Sequence, residues 1–158
     1  MTNQELVQKF YTAFQNADYK TMQACYSEDA TFSDAVFQNL NSNQTKAMWH
    51  MLVEAGKVDI TYSNILSNEQ ETTCDWTATY TFSLTKKNVV NKIDARFIIQ
   101  NGLIIQHLDS FNLYHWAKQA FGLTGTVLGW TNMFQNTIRN KAQQRLHDFI
   151  AKHNQYQK

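Results

Sequence analysis

Hydrophobic residues in the first part of the chain recur at helical spacing in three stretches. The first stretch predicts an amphipathic helix over residues 3–16. Asp18 is placed to cap a second, short helix over residues 18–26. A cluster of Asn and Ser then precedes a third helical stretch, which runs over residues 41–55 and stops at a glycine. The pattern therefore predicts three helices in the N-terminal third of the chain.

Alternation with a period of two residues predicts strands in the middle of the chain. Residues 30–37 alternate first, with Phe32, Asp34 and Val36 on one face. Residues 57–114 then read almost entirely as strand and turn. Helices followed by a run of adjacent strands are typical of an α+β domain with a mostly antiparallel sheet.

The clearest turn is the Asn-Gly pair at residues 101–102, between IDARFIIQ and LIIQHLDSF. Both residues tolerate positive φ, so the pair predicts a two-residue hairpin turn. An uninterrupted ladder from this turn pairs Arg96 with His107 and Asp94 with Asp109. We therefore expect these four side chains to share one face of the sheet.

The C-terminal part of the chain reads as a connector followed by a helix. Glycines punctuate residues 117–130, which favours an irregular connector, and helical spacing resumes at about Asn132. Residues 1–122 are then predicted to form one domain, and residues 123–158 a helical extension docked on it. The apolar stripe of this helix is Phe134, Ile138, Ala142, Leu146, Phe149 and Ile150.

Composition and charge narrow the possible partners. The chain has 158 residues, of which 43% are hydrophobic, so it can bury one core. Its net charge of +1 gives no general attraction for nucleic acid or an anionic membrane. Beyond His115, however, the chain has six basic residues and one acidic residue, Asp148. We expect this basic tail to dock on the acidic body; contact with a membrane is the less favoured alternative.

Other sequence features argue against several classes of site. The first ten residues have no basic region followed by an apolar run, and no stretch is long enough to span a membrane, so a cytoplasmic location is expected. Cys25 and Cys74 do not form a metal or redox motif and are interpreted as buried thiols. No metal-ligand spacing, nucleophile motif or phosphate loop is evident, so we expect no metal and no cofactor.

Two segments carry a resemblance to a known family. The segment FYTAFQNADYKTMQACYSEDATFSD and the hairpin NGLIIQHLDSF resemble the nuclear transport factor 2-like superfamily, which includes ketosteroid isomerase and SnoaL-like polyketide cyclases. The resemblance implies a cone-shaped fold, with N-terminal helices packed on a strongly curved sheet around a pocket for a small organic ligand. It also implies a homodimer formed through the sheet.

The resemblance also implies a set of catalytic residues. Asp34 lies where isomerase-like members place a general base, and a carboxylate among apolar neighbours gains the proton affinity that this role needs. Asp94 lies at the position of the isomerase's second acid, and Arg96 is a candidate to pair with it or to stabilise an anion. His107 and Asp109 match the acid/base pattern of SnoaL-like members.

One feature departs from the isomerase pattern. Where that mechanism requires a phenol on the first helix, this chain has Phe10, and Tyr11 is expected to point elsewhere. Several large apolar side chains are candidates for the walls of the pocket: Phe10, Phe14, Phe32, Trp49, Trp76, Tyr80 and Phe111.

Two hypotheses for function therefore stay open at this point. The first is an acid/base enzyme, of the isomerase, cyclase, dehydratase or hydrolase type, that acts on a small apolar organic substrate. The second is a ligand-binding or protein-interaction module of the same fold, in which the carboxylates serve only as ion-pair partners.

Overall fold

A computed structural model describes residues 1–157, which contain six α-helices and six β-strands. The helices are α1 (Asn3–Gln15), α2 (Tyr19–Ala24), α3 (Ser42–Glu54), α4 (Leu113–Phe121), α5 (Leu123–Leu128) and α6 (Asn132–Lys152). The strands are β1 (Tyr26–Ser33), β2 (Leu40–Asn41), β3 (Asp59–Ser67), β4 (Thr72–Thr81), β5 (Asn88–Gln100) and β6 (Leu103–Ser110). A short 3₁₀ turn, Asn154–Tyr156, follows α6.

The two longer N-terminal helices begin at reciprocal caps. The Thr2 side chain accepts a hydrogen bond from the backbone of Glu5, whose carboxylate accepts one in return from Thr2. Asn41 and Gln44 make the same exchange at the start of α3. Each exchange satisfies backbone N–H groups that a helix start leaves without a partner. The three predicted N-terminal helices are confirmed to within a few residues.

All six strands form one sheet, in the order β2-β1-β6-β5-β4-β3. Strands β1 and β6 run parallel, and the other neighbouring pairs are antiparallel. Helix α1 lies against β3 and α3 lies against β1, so the helices cover one face of the sheet and enclose the main core. The predicted α+β fold, with helices packed on a mostly antiparallel sheet, is confirmed.

The predicted limits of the first strand are wrong. Strand β1 begins at Tyr26 and ends at Ser33, so Asp34 has left the sheet. Oδ1 of Asp34 accepts hydrogen bonds from the backbone N–H groups of Val36 (2.6 Å) and Phe37 (2.5 Å). A side chain that bonds the backbone two and three residues on favours a tight turn over a strand.

The hairpin turn at residues 101–102 is confirmed, since Asn101 and Gly102 have φ values of 52° and 74°. Beyond this turn, the predicted pairing of β5 with β6 is wrong, because the register shifts after the first two residue pairs of the hairpin. Ile99 pairs with Ile104, but Ile98 pairs with Gln106, which leaves Ile105 as an extra residue on β6.

This bulge changes which side chains share a face. His107 lies opposite Phe97, and Asp109 lies opposite Ala95, so both point into the core. Asp94 and Arg96 are exposed on the other face. The prediction that the four polar residues lie together is therefore wrong, because one inserted residue moves every later side chain of a strand to the opposite face.

The predicted connector is helical. Asn112 caps α4, which buries Leu113, Trp116 and Ala117 against β5. The glycines of this region serve close packing: a Cβ at Gly125 would overlap the carbonyl oxygen of Ala117. Apolar residues spaced three and four apart therefore determine the structure here, and the glycines let α5 lie against α4.

Helix α6 forms as predicted from Asn132 and packs against α3. Leu146 and Tyr156 are buried in the main core. At the other end of the helix, Nε of Arg139 donates a 2.9 Å hydrogen bond to the carbonyl oxygen of Ala35, beside Asp34. The division into domains at residue 122 and the homodimer through the sheet stay predictions. No helix within residues 1–157 combines the length and the apolar character needed to cross a membrane.

Candidate acid/base site

A buried histidine lies at the centre of the candidate site. His107 on β6 has no exposed surface, and both of its ring nitrogens are hydrogen-bonded. Nδ1 lies 2.6 Å from the hydroxyl of Tyr26 on β1, and Nε2 lies 3.0 Å from Oδ1 of Asp109. The parallel pairing of β1 with β6 and the bulge at Ile105 bring these three side chains together.

Two indole groups extend the chain of hydrogen bonds at both ends. Nε1 of Trp49 donates to the hydroxyl oxygen of Tyr26 at 2.9 Å, and Nε1 of Trp76 donates to Oδ1 of Asp109 at 3.3 Å. Because an indole only donates, the Tyr26 oxygen accepts from Trp49 and keeps its own proton for Nδ1 of His107. The His107 proton then lies on Nε2 and is donated to the Asp109 carboxylate. The network thus gives the two ring nitrogens of His107 different roles, one as acceptor and one as donor.

Aromatic rings surround this polar chain. The centroid of the His107 ring lies 4.1 Å from that of Phe97, 5.0 Å from that of Phe32 and 5.7 Å from that of Phe10. Such surroundings exclude water and strengthen the electrostatic interactions between the polar groups. The interior therefore holds an ordered set of titratable groups at low polarity.

Tyr11 was expected to point away from the site, and this prediction is wrong. Its side chain has no exposed surface, and its ring centroid lies 5.6 Å from that of Trp76. Within the described residues, its hydroxyl has no hydrogen-bond partner. Burial, with a contribution from the nearby Asp109 charge, raises the pKa of Tyr11 well above its ordinary value. Tyr11 thus offers an unpaired hydroxyl within the electrostatic influence of Asp109.

Asp34 lies one residue beyond the last β1–β6 pair, Ser33 with Leu108, which places it level with Asp109. The side chain is half-buried. Burial raises the pKa of Asp34 to about 7, and the charge of Asp109 adds to the rise. The backbone N–H groups of Val36 and Phe37 act in the opposite direction, since they stabilise the carboxylate. Asp34 can therefore gain or lose a proton near neutral pH.

Asp94 and Arg96, which an uninterrupted ladder would group with these residues, lie on the outer face. Nε of Arg96 makes an ion pair with Oε2 of Glu71 at 3.1 Å, and the Arg96 side chain is 59% exposed. Asp94 lies opposite the exposed Asp75 on β4. The structure thus brings Asp34, His107 and Asp109 to one region and separates Asp94 and Arg96 from them.

The comparison with family models matches residues 7–107 to the SnoaL-like domain. The chain belongs to this family. The match includes most of α1, all of α2, β1 and α3, and the sheet as far as His107. The sequence has no match among curated proteins.

Solved structures share the fold of this SnoaL-like domain at low sequence identity. A protein from Catenulispora acidiphila with a ketosteroid isomerase-like fold, crystallised with trimethylamine, matches with a TM-score of 0.68 and 16% identity, over 82% of this chain and 99% of that one. A candidate polyketide cyclase from Silicibacter sp. TM1040 matches with a TM-score of 0.65 and 20% identity, over 73% of this chain and 92% of that one. An epoxide hydrolase from M. tuberculosis matches with a TM-score of 0.61 and 20% identity, over 79% of this chain and 94% of that one. At 16–20% identity, these structures show the fold of the domain.

The predicted pocket walls of the SnoaL-like domain fall into two groups. Five of them are buried and make ring contacts around the polar chain: Phe10, Phe14, Phe32, Trp49 and Trp76. Tyr80 and Phe111 are partly buried between this cluster and the one under α4, where the Tyr80 hydroxyl accepts a 2.7 Å hydrogen bond from Trp116. A separate surface depression of about 420 Å³ lies beside Phe14, between the ends of α1 and α3 and the start of β3.

A second cluster of titratable side chains lies outside this site. Within residues 1–157, His50, Glu54 and His153 are the group whose donor atoms lie close enough together to hold a metal ion. The spacing of His50 and Glu54 on one helix face is visible in the sequence. The third side chain comes from the far end of the chain, and only the docking of α6 brings it near.

Proposed function

We propose that this SnoaL-like domain is an acid/base enzyme that acts on a small apolar organic molecule. The observation that carries the proposal is the buried, hydrogen-bonded pair His107 and Asp109, together with a carboxyl group, Asp34, whose pKa burial and the charge of Asp109 raise to about 7. Titratable groups with shifted pKa values inside an apolar enclosure are typical of catalytic sites.

Asp34 is assigned the role of general base. A base with a pKa near the working pH combines a useful fraction of the charged form with enough proton affinity to remove a weakly acidic proton. Its Oδ1 is held by two backbone N–H groups, so Oδ2 is the atom available to a substrate. The half-buried position of Asp34 gives a ligand access from the surface.

Tyr11 is assigned to the oxygen of the substrate. When a proton leaves a carbon next to a carbonyl group, negative charge develops on the carbonyl oxygen, and a donor that is already in position stabilises it. The unpaired hydroxyl of Tyr11 meets this requirement. Asp34, which took up the proton, then returns it to a carbon atom of the substrate and regains its charge, while the hydrogen bonds of His107 and Asp109 hold Tyr26 and Trp76 in position. Asp94 and Arg96 have no role in this proposal, because they lie on the outer face.

The test is proton exchange in a panel of small cyclic ketones and enones, followed by NMR in deuterated buffer. The native protein should accelerate exchange at the carbon next to the carbonyl group of at least one compound. Asp34→Asn should lower this rate by about 100-fold to 10,000-fold, the usual contribution of a general base. Asp94→Asn, a matched change on the outer face, should leave it unchanged. Equal rates for the native protein and Asp34→Asn would contradict the role of Asp34.

A second candidate function is ligand binding without chemistry. It is favoured by one observation: both ring nitrogens of His107 already have protein partners, as expected for a histidine that only stabilises the core. In that case a ligand from the panel would shift the melting temperature of the native protein and of Asp34→Asn equally, and no compound would exchange protons faster than in buffer.

A further inference from the structure

We propose that His50, Glu54 and His153 form a binding site for a divalent transition metal, with Zn²⁺ as the best match. One donor atom from each side chain lies within 4.8 Å of the other two. Two imidazoles and one carboxylate are a ligand set that zinc accepts, and a water molecule completes the tetrahedron. The site lies on the outer side of α3, away from the acid/base groups.

Helix α3 supplies two of the ligands. His50 and Glu54 are four residues apart, so they lie on the same face of the helix, and Nε2 of His50 is 2.9 Å from Oε1 of Glu54. His50 is buried, whereas the Glu54 side chain is 53% exposed. A metal ion between these atoms would have one side toward protein and one side toward solvent, which leaves room for the water ligand.

The third ligand comes from the end of α6. Nδ1 of His153 lies 2.7 Å from the carbonyl oxygen of Phe149, and because a carbonyl only accepts, this nitrogen carries the proton. Its other nitrogen, Nε2, therefore has a free lone pair. The Phe149 ring stacks on the His153 ring at 3.9 Å and holds its orientation.

The outer contacts of His50 suit a metal ligand as well. Nδ1 of His50 lies 3.0 Å from the hydroxyl of Tyr156, which also accepts a 2.6 Å hydrogen bond from Nε2 of Gln23. Tyr19 stacks on the His50 ring at 3.6 Å. If Nδ1 donates to Tyr156, Nε2 of His50 has its lone pair free, as it does in His153. Metal-ligating histidines usually donate the opposite N–H to an oxygen in this way.

The ordinary alternative is a hydrogen-bond cluster that holds the tail without any metal. In that case Nε2 of His50 carries the proton and donates it to Glu54, and Nδ1 accepts from Tyr156. The two arrangements differ in one measurable respect. The hydrogen bonds between His50, Glu54 and Tyr156 do not involve His153, and no hydrogen bond in residues 1–157 uses Nε2 of His153. Metal binding, in contrast, requires that nitrogen as a ligand.

The experiment is a titration of the tag-free, full-length protein with Zn²⁺ by calorimetry, and with Co²⁺ by visible absorption. We expect about one ion per chain and the absorption bands of tetrahedral Co²⁺. Outer contacts of a metal site usually change affinity by about 10-fold to 100-fold, so Tyr156→Phe should weaken binding by that factor. His153→Ala and Glu54→Gln remove ligands and should weaken it by more.

Matched controls make the result specific. His147→Ala removes an exposed histidine from the same helix and should leave affinity unchanged. Because His153 and Glu54 are not buried, their variants should fold, which thermal melts without metal will check. A melting temperature that rises with Zn²⁺ in the native protein and in His147→Ala, but not in His153→Ala, supports the site. Equal Zn²⁺ affinity in the native protein and His153→Ala, or no binding at all, overturns it.

Discussion

The hydroxyl of Tyr26 lies 2.6 Å from Nδ1 of His107, across the parallel pairing of β1 with β6. The two residues are 81 positions apart in the chain. Their contact links the N-terminal helical region, through Trp49 on α3, to the end of the sheet. The candidate acid/base site therefore exists only when the sheet is fully assembled, and neither half of the chain contains it alone.

Replacement of Tyr11 by phenylalanine should stabilise the protein and impair its function. The Tyr11 hydroxyl is buried without a partner, and an unsatisfied buried polar group costs about 1–3 kcal/mol. Tyr11→Phe removes that cost and keeps the ring contacts. Urea unfolding should show a higher free energy of unfolding, whereas the proton-exchange rate should fall. A lower stability would mean that the hydroxyl has a partner in solution, and an unchanged rate would remove Tyr11 from the mechanism.

Replacement of Asp34 by asparagine should change how stability depends on pH. The pKa of Asp34 is about 7 in the folded protein, against an ordinary value of 3.8. Between these values the folded state holds the proton more tightly than the unfolded state, so the Asp34 contribution to stability falls as the pH rises from about 4 to 7. Each unit of pKa shift corresponds to about 1.4 kcal/mol, which sets an upper limit on the effect.

Asparagine keeps an oxygen that can accept from Val36 and Phe37, so Asp34→Asn should preserve the turn. The free energy of unfolding of Asp34→Asn minus that of the native protein should therefore increase between pH 4 and pH 7, measured by urea unfolding at several pH values. In the native protein, the proton-exchange rate should rise through about pH 7 as the base ionises. A stability difference that does not vary with pH would show that Asp34 has an ordinary pKa.

Replacement of Arg96 by alanine should have little effect on stability or activity. The ion pair of Arg96 with Glu71 is exposed, and such pairs contribute about 0–1 kcal/mol. Arg96 also lies on the face opposite His107 and Asp109. Thermal melts and the exchange assay on Arg96→Ala will check this. A tenfold loss of activity with unchanged stability would show that Arg96 contributes to the acid/base site.

Removal of the chain after Trp130 should lower the melting temperature. The truncation takes away Leu146 and Tyr156, which are buried in the core. Burial of one large apolar side chain contributes about 1.5–3 kcal/mol, so the loss should be several kcal/mol. A dye that binds hydrophobic surface should fluoresce more with the truncated protein. Lys141→Glu, an exposed change on α6, is the matched control and should melt as the native protein does.

The alternative for the tail is contact with an anionic membrane. It would be supported if the truncated protein melted unchanged and the full-length chain bound anionic liposomes in a salt-sensitive manner. Binding of neutral and anionic liposomes should be compared at two salt concentrations. The buried positions of Leu146 and Tyr156 favour the docked tail, and we therefore expect no liposome binding.

The local elements could be predicted from the sequence because their signals are local. Helices α1 and α3 begin at capping residues that bond to the neighbouring backbone, and the turn at residues 101–102 depends only on the freedom of Asn and Gly to adopt positive φ. The resemblance to the family was likewise visible in two local segments and in the order of the elements. These features do not depend on what packs against them.

The site could be predicted only in part, because one bulge determines which side chains point inward. His107 and Asp109 were recognised from the hairpin motif, but an uninterrupted ladder places Arg96 beside them. The adjacent Ile104 and Ile105 break the alternation of β6 and are the one local signal of the bulge. The burial of Tyr11 was not predicted, because Phe10 was assigned the position facing the site, whereas the helix buries both side chains.

The parallel pairing of β1 with β6 also has a consequence for how the protein is made. Strand β1 leaves the ribosome early, but its neighbour β6 is complete only when Ser110 has been synthesised. Until then Phe32 and Tyr26 have no partner strand on that side. Pairing of such distant segments must overcome a large loop-closure entropy, so it is slow and leaves apolar surface exposed. We expect the nascent chain to depend on chaperones until most of its length has been translated.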